Sequence, residues 1–402
     1  MIFFEHLLLY AAAIPFIYYL LAIYSSLKFF RRSRTSESNE EFTPPVSNLK
    51  PVRGLDPEAY ENFASLCRQD YPEYELIFCT TDENDPSVPV IQKLMQDFPE
   101  RKIRLIFSAG HKAINDKVAK LALMTAQAQY EHLVINDSDV RVAPDYFRRV
   151  VAPLRDPQVG GVTCFYVSLE DKTVTEKCQT VGMISDFYAG LLVGWNFEGI
   201  RFALGPTMVT TKKQVEGFGG FRVLENRSAD DLLFGRLIAQ QGVEMRLLPY
   251  AVQCVPDYHG LRGLMAKRIR WMTVMRQMRP WGHLGLLFTW GLPWSLLAVA
   301  ILPTAATAAV YLGSYLACRI AIASVIGIYG LKQRGLWREF ALIPVWDALA
   351  FWIWLVSFTR KSIMWRKVEH PLEGGQLVRE RPVPISSARE TEKIPQQKPT
   401  SS

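Results

Sequence analysis

Three places in the chain set carboxylates close together: Asp82 and Asp85 in TTDENDP, Asp137 and Asp139 in VINDSDV, and Asp230 and Asp231 in SADDLLFGRLI. Two aspartates flanking a serine at the end of an apolar run can offer oxygen ligands to a hard divalent cation. Mg2+ and Mn2+ prefer carboxylate, water and phosphate oxygens. A metal bound there would bridge to a diphosphate and stabilise it as a leaving group. The same letters also suit a plain turn capping the helix that starts near Pro144, because Asp and Ser are good turn formers. The Asp230–Asp231 pair opens a helical pattern. It either compensates the helix dipole or sets a general base beside an acceptor hydroxyl. A fourth cluster, KRIRWM, puts Lys267, Arg268 and Arg270 beside Trp271. It reads as an amphipathic interfacial helix with a Trp anchor or as a grip on phosphate.

The elements that must position these groups alternate. VSNLKPV (46–52), ELIFCT (75–80), KIRLIFS (102–108) and HLVIND (132–137) read as strands. Helical patterns at 57–69, 87–98 and 117–127 separate them. Strands alternating with helices predict a doubly wound α/β sheet, with ligands outside the carboxyl ends of the strands. Asp82 follows the second strand and Asp137 ends the fourth, so both fall on that edge. His111 and His259 are lone histidines in expected loops, and GFGGF (217–221) reads as a turn before a helix.

Both ends of the chain are more apolar than the middle. The 402 residues are 49% hydrophobic with ten tryptophans, and the mean hydropathy is +0.04, which points to segments in lipid. Leu7 to Leu27 carries no charge and has the length that spans a bilayer core, and Lys28, Arg31, Arg32 and Arg34 follow at once. This predicts a retained membrane helix whose C-terminal end is cytoplasmic. Two more helices are expected at roughly 284–303 and 307–331. Phe340–Phe358, interrupted by Pro344 and Asp347, is expected to be re-entrant or interfacial, because basic loops flank it on both sides. Arg319 and Asp347 are costly in lipid unless paired, which predicts an ion pair between them.

The net charge of +7 suits loops near anionic lipid. With no long basic run carrying interleaved aromatics, nucleic acid is not expected as a partner. The six cysteines show no paired close spacing and are expected to be reduced. The organisation expected is a membrane helix (1–30), a linker (31–45), a catalytic domain (46–260), an interfacial helix with the RW pair (261–283), a C-terminal membrane region (284–378) and a disordered tail (379–402).

Taken in order, a strand followed by Asp82, the Asp137–Asp139 pair, the acidic pair opening a helix, and Arg270–Trp271 before membrane helices resemble the membrane-bound inverting glycosyltransferases of the GT-A fold. The resemblance is to the ceramide glucosyltransferase family, with the bacterial hopanoid-biosynthesis glycosyltransferases grouped with it. It covers about residues 5–378, and NDSDVRVAPDYFRRVVAPL (136–154) and ADDLLFGRLIAQQG (229–242) carry much of it. The resemblance implies a GT-A-like mixed sheet, a UDP-sugar donor such as UDP-glucose, a divalent metal (Mg2+ or Mn2+), and a membrane lipid acceptor at the cytoplasmic face of a bacterial inner membrane. On it, Asp82 and Asp85 lie near uridine and ribose, and Lys117 touches donor phosphate. Asp137 and Asp139 hold metal and diphosphate. Asp231, with Asp230 as the other candidate, takes the acceptor proton, while Lys267, Arg270 and Trp271 steady diphosphate and acceptor. The chain departs from the family pattern at Lys267 (Gln or Arg), Asp230 (Glu), Asp116 (Pro) and Lys120 (Asn). A hopanoid-type transferase using UDP-GlcNAc, a processive polysaccharide synthase and a non-catalytic relative are the alternatives.

Overall fold

The structure is a computed structural model and describes residues 2–35, 42–109, 114–170, 172–256, 260–365, 368–374 and 376–377. Residues 36–41 of the expected linker, the expected tail, His111 and His259 lie outside the described residues.

Two helices, α1 (Ile2–Ala12) and α2 (Ile14–Thr35), lead into the sheet. Its strands are β1 (Val46–Pro51), β2 (Tyr74–Thr80), β3 (Lys102–Phe107), β4 (His132–Ile135), β5 (Val140–Arg141), β6 (Val159–Ser168), β7 (Met208–Thr211) and β8 (Glu244–Cys254). They lie in the order β3-β2-β1-β4-β7-β6-β8-β5. The first four are parallel, β7 runs antiparallel to both β4 and β6, and β8 is parallel to β6. The sheet is therefore mixed, as expected. Strand order reverses between β1 and β4, and in open α/β sheets the crevice at such a reversal is where ligands sit.

The connecting helices are α3 (Ala59–Cys67), α4 (Val88–Asp97), α5 (Asp116–Gln127), α6 (Tyr146–Val151), α7 (Val174–Gly182), α8 (Tyr188–Glu198), α9 (Lys212–Gly217) and α10 (Asp230–Gln240). The central strands are buried on both faces, which is why they read as continuous apolar runs. Leu76, Phe78 and Val134 pack with Phe63 of α3, Leu94 of α4 and Phe147 of α6. Their neighbours Ile77, Leu133 and Ile135 pack on the other face with Leu121 of α5 and Phe234 of α10. Each such side chain contributes roughly 1.5–3 kcal/mol by leaving water.

That second core continues into the apolar helices. Phe29 of α2 lies 5.8 Å from Phe165 of β6 and 5.0 Å from Trp195 of α8, ring centre to ring centre. After the sheet come α11 (Gly260–Met278), α12 (Pro280–Gly285), α13 (Gly291–Ile301), α14 (Ala305–Ala323) and α15 (Ile343–Ser357), then a small sheet of β9 (Ser362–Trp365), β10 (Val368–Glu373) and β11 (Gln376–Leu377).

Among the described residues three helices are long and apolar enough to cross a membrane: Glu5–Arg32, Ala305–Gly330 and Arg334–Ser357. The last takes in the stretch expected to be re-entrant. Its Pro344 sits in the first turn of α15, where no backbone N–H is missed. Asp347 is not left in lipid: Arg319 Nε donates to its Oδ2 at 2.9 Å, and both side chains are buried. The expected ion pair is present. The bent element is Pro280–Thr289 with Gly291–Ile301, which turn by 50° at non-helical Trp290. All six cysteines are free, as expected.

Candidate active site

The carboxylate turn after β4 is held from below by polar groups that are themselves buried. Asn136 donates from Nδ2 to the Tyr146 hydroxyl (2.8 Å) and to the Pro206 carbonyl (2.9 Å), and its Oδ1 accepts from Asn48 of β1 (2.8 Å). Lys50, fully buried in β1, donates to the Asp137 carbonyl at 2.8 Å. Burial pulls its ammonium down to about 8, against the nearby Asp139 and Asp137. The backbone of Asp139 is tied in turn, accepting from Val255 N–H at 2.9 Å. The bonds fix the backbone of the turn from which the two carboxylates project.

Two helix starts converge on that turn. Asn115 caps α5 by accepting from Val118 N–H, and the same side chain donates to Asp230 Oδ1 at 3.2 Å. The first turn of α5 is thereby joined to the first turn of α10. Lys117, one residue inside α5, places Nζ 2.6 Å from Asp137 and 3.5 Å from Asp230. Burial works against its charge, but the two carboxylates outweigh that and raise it above the ordinary lysine value. Among the described residues Asp231 accepts one hydrogen bond, from its neighbour Leu232 N–H at 2.7 Å through Oδ1. Burial, then the charge of Asp230, push Asp231 up to about 6.

The free oxygens meet over Gly205. A Cβ built there would lie 3.2 Å from Asp137 Oδ2, 3.3 Å from Asp231 Oδ2 and 3.8 Å from Lys117 Nζ. Glycine leaves this space open to a ligand. Among the described residues Ser168 Oγ, in the lining, is buried without a hydrogen bond, the condition expected of a group that awaits a polar ligand; Asp230 Oδ2 makes none either but lies 3.5 Å from Lys117 Nζ.

On the far side stands α11. Lys267, Arg270 and Trp271 share one face of it and line the same cavity. Arg268 is buried, stacked 5.0 Å from the Trp271 ring and 4.8 Å from the Trp346 ring, and donates to Gln179 at 2.8 Å. The cavity measures about 860 Å3, within the range of small-molecule sites. Its lining extends from Asp137, Asp139, Asp231 and Lys117 to apolar side chains at Tyr18 and Ile353, residues of helices long and apolar enough to cross a membrane, and at Trp290, where the bent helical element breaks.

Eight of the ten residues singled out from the sequence thus face one cavity: Lys117, Asp137, Asp139, Asp230, Asp231, Lys267, Arg270 and Trp271. Asp82 and Asp85 follow β2 on the same sheet edge but are not in the lining. Asp82 is exposed and accepts from Asn84 N–H. Asp85 accepts from Gly54 N–H at 3.0 Å and Ser87 Oγ at 2.7 Å, and so braces the loop carrying Arg53, which does line the cavity. Sequence reasoning missed Lys50, Asn48 and Asn136, whose types suggest surface or turn. Two of the noted departures, Asp116 and Lys120, pair with each other at 2.9 Å, and Lys120 also donates to the Val52 carbonyl at 2.8 Å.

Among the described residues no group of three His, Cys, Asp or Glu side chains could hold a metal alone. Asp137 and Asp139 nonetheless fit Mg2+ or Mn2+ in the manner those ions favour beside phosphates. One or two carboxylates bind from the protein, and substrate oxygens complete the shell.

Residues 7–378 match the sequence profile of glycosyl transferase family 21. The chain belongs to that family. Curated relatives of this family 21 protein include ceramide glucosyltransferase 1 of Caenorhabditis elegans, 23% identical over 50% of this chain and 43% of that one. Ceramide glucosyltransferase of Candida albicans is 31% identical over 29% of this chain and 24% of its own length. The chain therefore spans about half or less of the curated relatives it matches. Among solved structures, the mannosyltransferase PcManGT from Pyrobaculum calidifontis, in complex with GDP-Man and Mn2+, is similar over 87% of this chain and 99% of that one, with 20% identity and a TM-score of 0.50. The fold of this family 21 chain is the GT-A glycosyltransferase fold.

Proposed function

We propose that this protein is a membrane-bound inverting glycosyltransferase that moves a sugar, glucose first among the candidates, from a UDP-sugar to a hydroxyl of a ceramide-like lipid. The observation that carries the reading is the single cavity joining the carboxylate cluster to an apolar end among membrane helices. A water-soluble acceptor would have no use for that end.

In this reading Asp231 is the general base. Its Oδ2 faces the open space over Gly205, and a value near 6 suits proton abstraction around neutral pH. Asp230, fixed by Asn115 and Lys117, positions rather than reacts. The acceptor oxygen loses its proton to Asp231 and bonds to the anomeric carbon from the face opposite the diphosphate. The bond from that carbon to the phosphate oxygen breaks, and UDP leaves with the electron pair. Lys117 and Arg270 face the developing charge, and preorganised charges of this kind are strong contributors to rate. A divalent ion held by Asp137 and Asp139 would supply further neutralisation of the diphosphate. Asp85 serves the donor site from outside the lining, by holding the Arg53 loop.

The test is to incubate membranes with several labelled UDP-sugars and identify labelled lipid by mass spectrometry, with Asp231→Asn as control. An organic-extractable monoglycoside made only by the unaltered protein supports the reading. A water-soluble polymer would point instead to a processive synthase. Equal rates in both proteins would remove Asp231 from its role.

A further inference from the structure

Helix α7 does not pass straight into α8. Met183–Phe187 form one wider, π-helical turn between them, and such insertions often occur at functional sites. Asp186 lies on this turn, half-buried in the wall of the cavity on the apolar side of the carboxylate cluster. Among the described residues it accepts one hydrogen bond, from Trp346 Nε1 at 3.4 Å, near the long limit for such a bond. Burial holds its carboxyl above the usual range. A carboxylate has room for about four donors, and leaving it poorly satisfied away from water is costly. Arg319 and Arg268 act on its charge from nearby, and as a lining residue it borders the ligand space.

The turn is also anchored at some expense. Arg319 of α14 donates to the Ser185 carbonyl and, at 3.2 Å, to Ser185 Oγ. Its other face pairs with Asp347, which also accepts from the Tyr315 hydroxyl at 2.7 Å. A buried ion pair at membrane depth is rarely kept for stability alone. Here it grips the residue next to Asp186.

We propose that Asp186 reads the acceptor: its carboxylate receives a hydrogen bond from an amide N–H or a second hydroxyl of the lipid, close to the hydroxyl that is glycosylated, and the Arg319–Asp347 pair holds the turn that presents it. This rests on the lipid-acceptor reading above. Lipids offering only ester oxygens beside the reacting hydroxyl meet a carboxylate with nothing to accept from. They are disfavoured because acceptor lone pairs on both sides face each other with no proton between them.

The experiment uses the full chain in nanodiscs with the UDP-sugar selected by the labelling test. Two acceptors of equal chain length are compared: an N-acyl sphingoid base, and a diacylglycerol whose primary hydroxyl is flanked only by esters. The readout is the ratio of kcat/KM for the two, which cancels any loss of folded protein. The unaltered protein is expected to favour the N-acyl acceptor by about 30-fold or more. Asp186→Ala brings the ratio close to one, and Asp186→Asn, which keeps a neutral acceptor oxygen, falls between. The joint change Arg319→Leu with Asp347→Leu, which leaves no buried charge, also lowers the ratio. A ratio unchanged in both Asp186 variants overturns the inference while leaving the lipid acceptor standing, and so does an unaltered protein that does not discriminate. An unaltered protein that glycosylates neither lipid overturns the lipid-acceptor reading, and the inference with it.

Discussion

Lys117 Nζ lies 2.6 Å from an oxygen of Asp137, so the cation nearest the expected diphosphate already grips the carboxylate expected to face it. Binding of a donor must redistribute this contact. Lys117→Met should weaken UDP-sugar binding and transfer together by at least about 100-fold, the size of a charge-assisted contact of ~3 kcal/mol. Steady-state kinetics against donor concentration will show it. A variant with unaltered donor KM would place Lys117 outside the donor site.

Asp231, raised to about 6, predicts the pH profile. As base it must be ionised, so kcat/KM should fall tenfold per pH unit below about 6 and level off above it. Stability runs the other way. The folded protein holds a proton that the unfolded chain has released between the ordinary aspartate value and about 6, so this group's stabilising share is present at low pH and lost as pH rises through about 6. Asp231→Asn should abolish this share of the pH dependence of melting and lower transfer by about 10^3-fold.

Gly205 sets how close a ligand comes. Gly205→Ala would put a methyl group 3.2 Å and 3.3 Å from the two reacting-side oxygens. We expect a loss of transfer of about 10- to 100-fold, with a melting temperature within about 2 °C of the original. An equally active Ala variant would mean that the substrate does not approach this point.

Metal removal offers a separate check on Asp137 and Asp139. Chelation should stop transfer, and Mn2+ or Mg2+ should restore it. Asp139→Asn should raise the metal concentration needed for half-maximal rate by about tenfold or more. Full activity of the unaltered protein after exhaustive chelation is the contrary result.

Arg319 and Asp347 make a prediction about folding. Arg319→Leu leaves a buried carboxylate unpaired and should cost about 3–5 kcal/mol, whereas the joint replacement with Asp347→Leu should recover most of that. Thermal unfolding of the two single and one double variants in detergent measures the coupling. Additive losses would mean that the pair is not coupled as the structure shows it.

The first four strands were legible because each is a short apolar run ending at a turn, with a helical pattern between it and the next. The carboxylate cluster was legible in part for the same reason, since Asp137 ends the fourth run, while Asp230 and Asp231 stood out as an acidic pair opening a helical pattern. The rest of the sheet was harder to read. β6 carries two adjacent glycines, β7 has four residues, and β8 contains Pro249 and an irregular register against β6. Lys50 and Lys120 drew no structural reading, because lysine is rarely buried and its type gives no sign of an interior role. Both are hidden, with their ammonium groups on backbone carbonyls. Asp186 carried no sequence signal, because it becomes notable only once a π-helical turn directs it into the cavity.

Tyr18 belongs to the first apolar helix, yet it borders the same hollow as Asp139. A substrate with long hydrocarbon tails can therefore keep them among the helices while only its head rises to the carboxylates. Lifting such a molecule fully into water would cost about 0.8 kcal/mol for every methylene exposed. For a lipid acceptor, as proposed, this architecture avoids that barrier, and turnover should then depend on sideways diffusion within the bilayer rather than on escape from it.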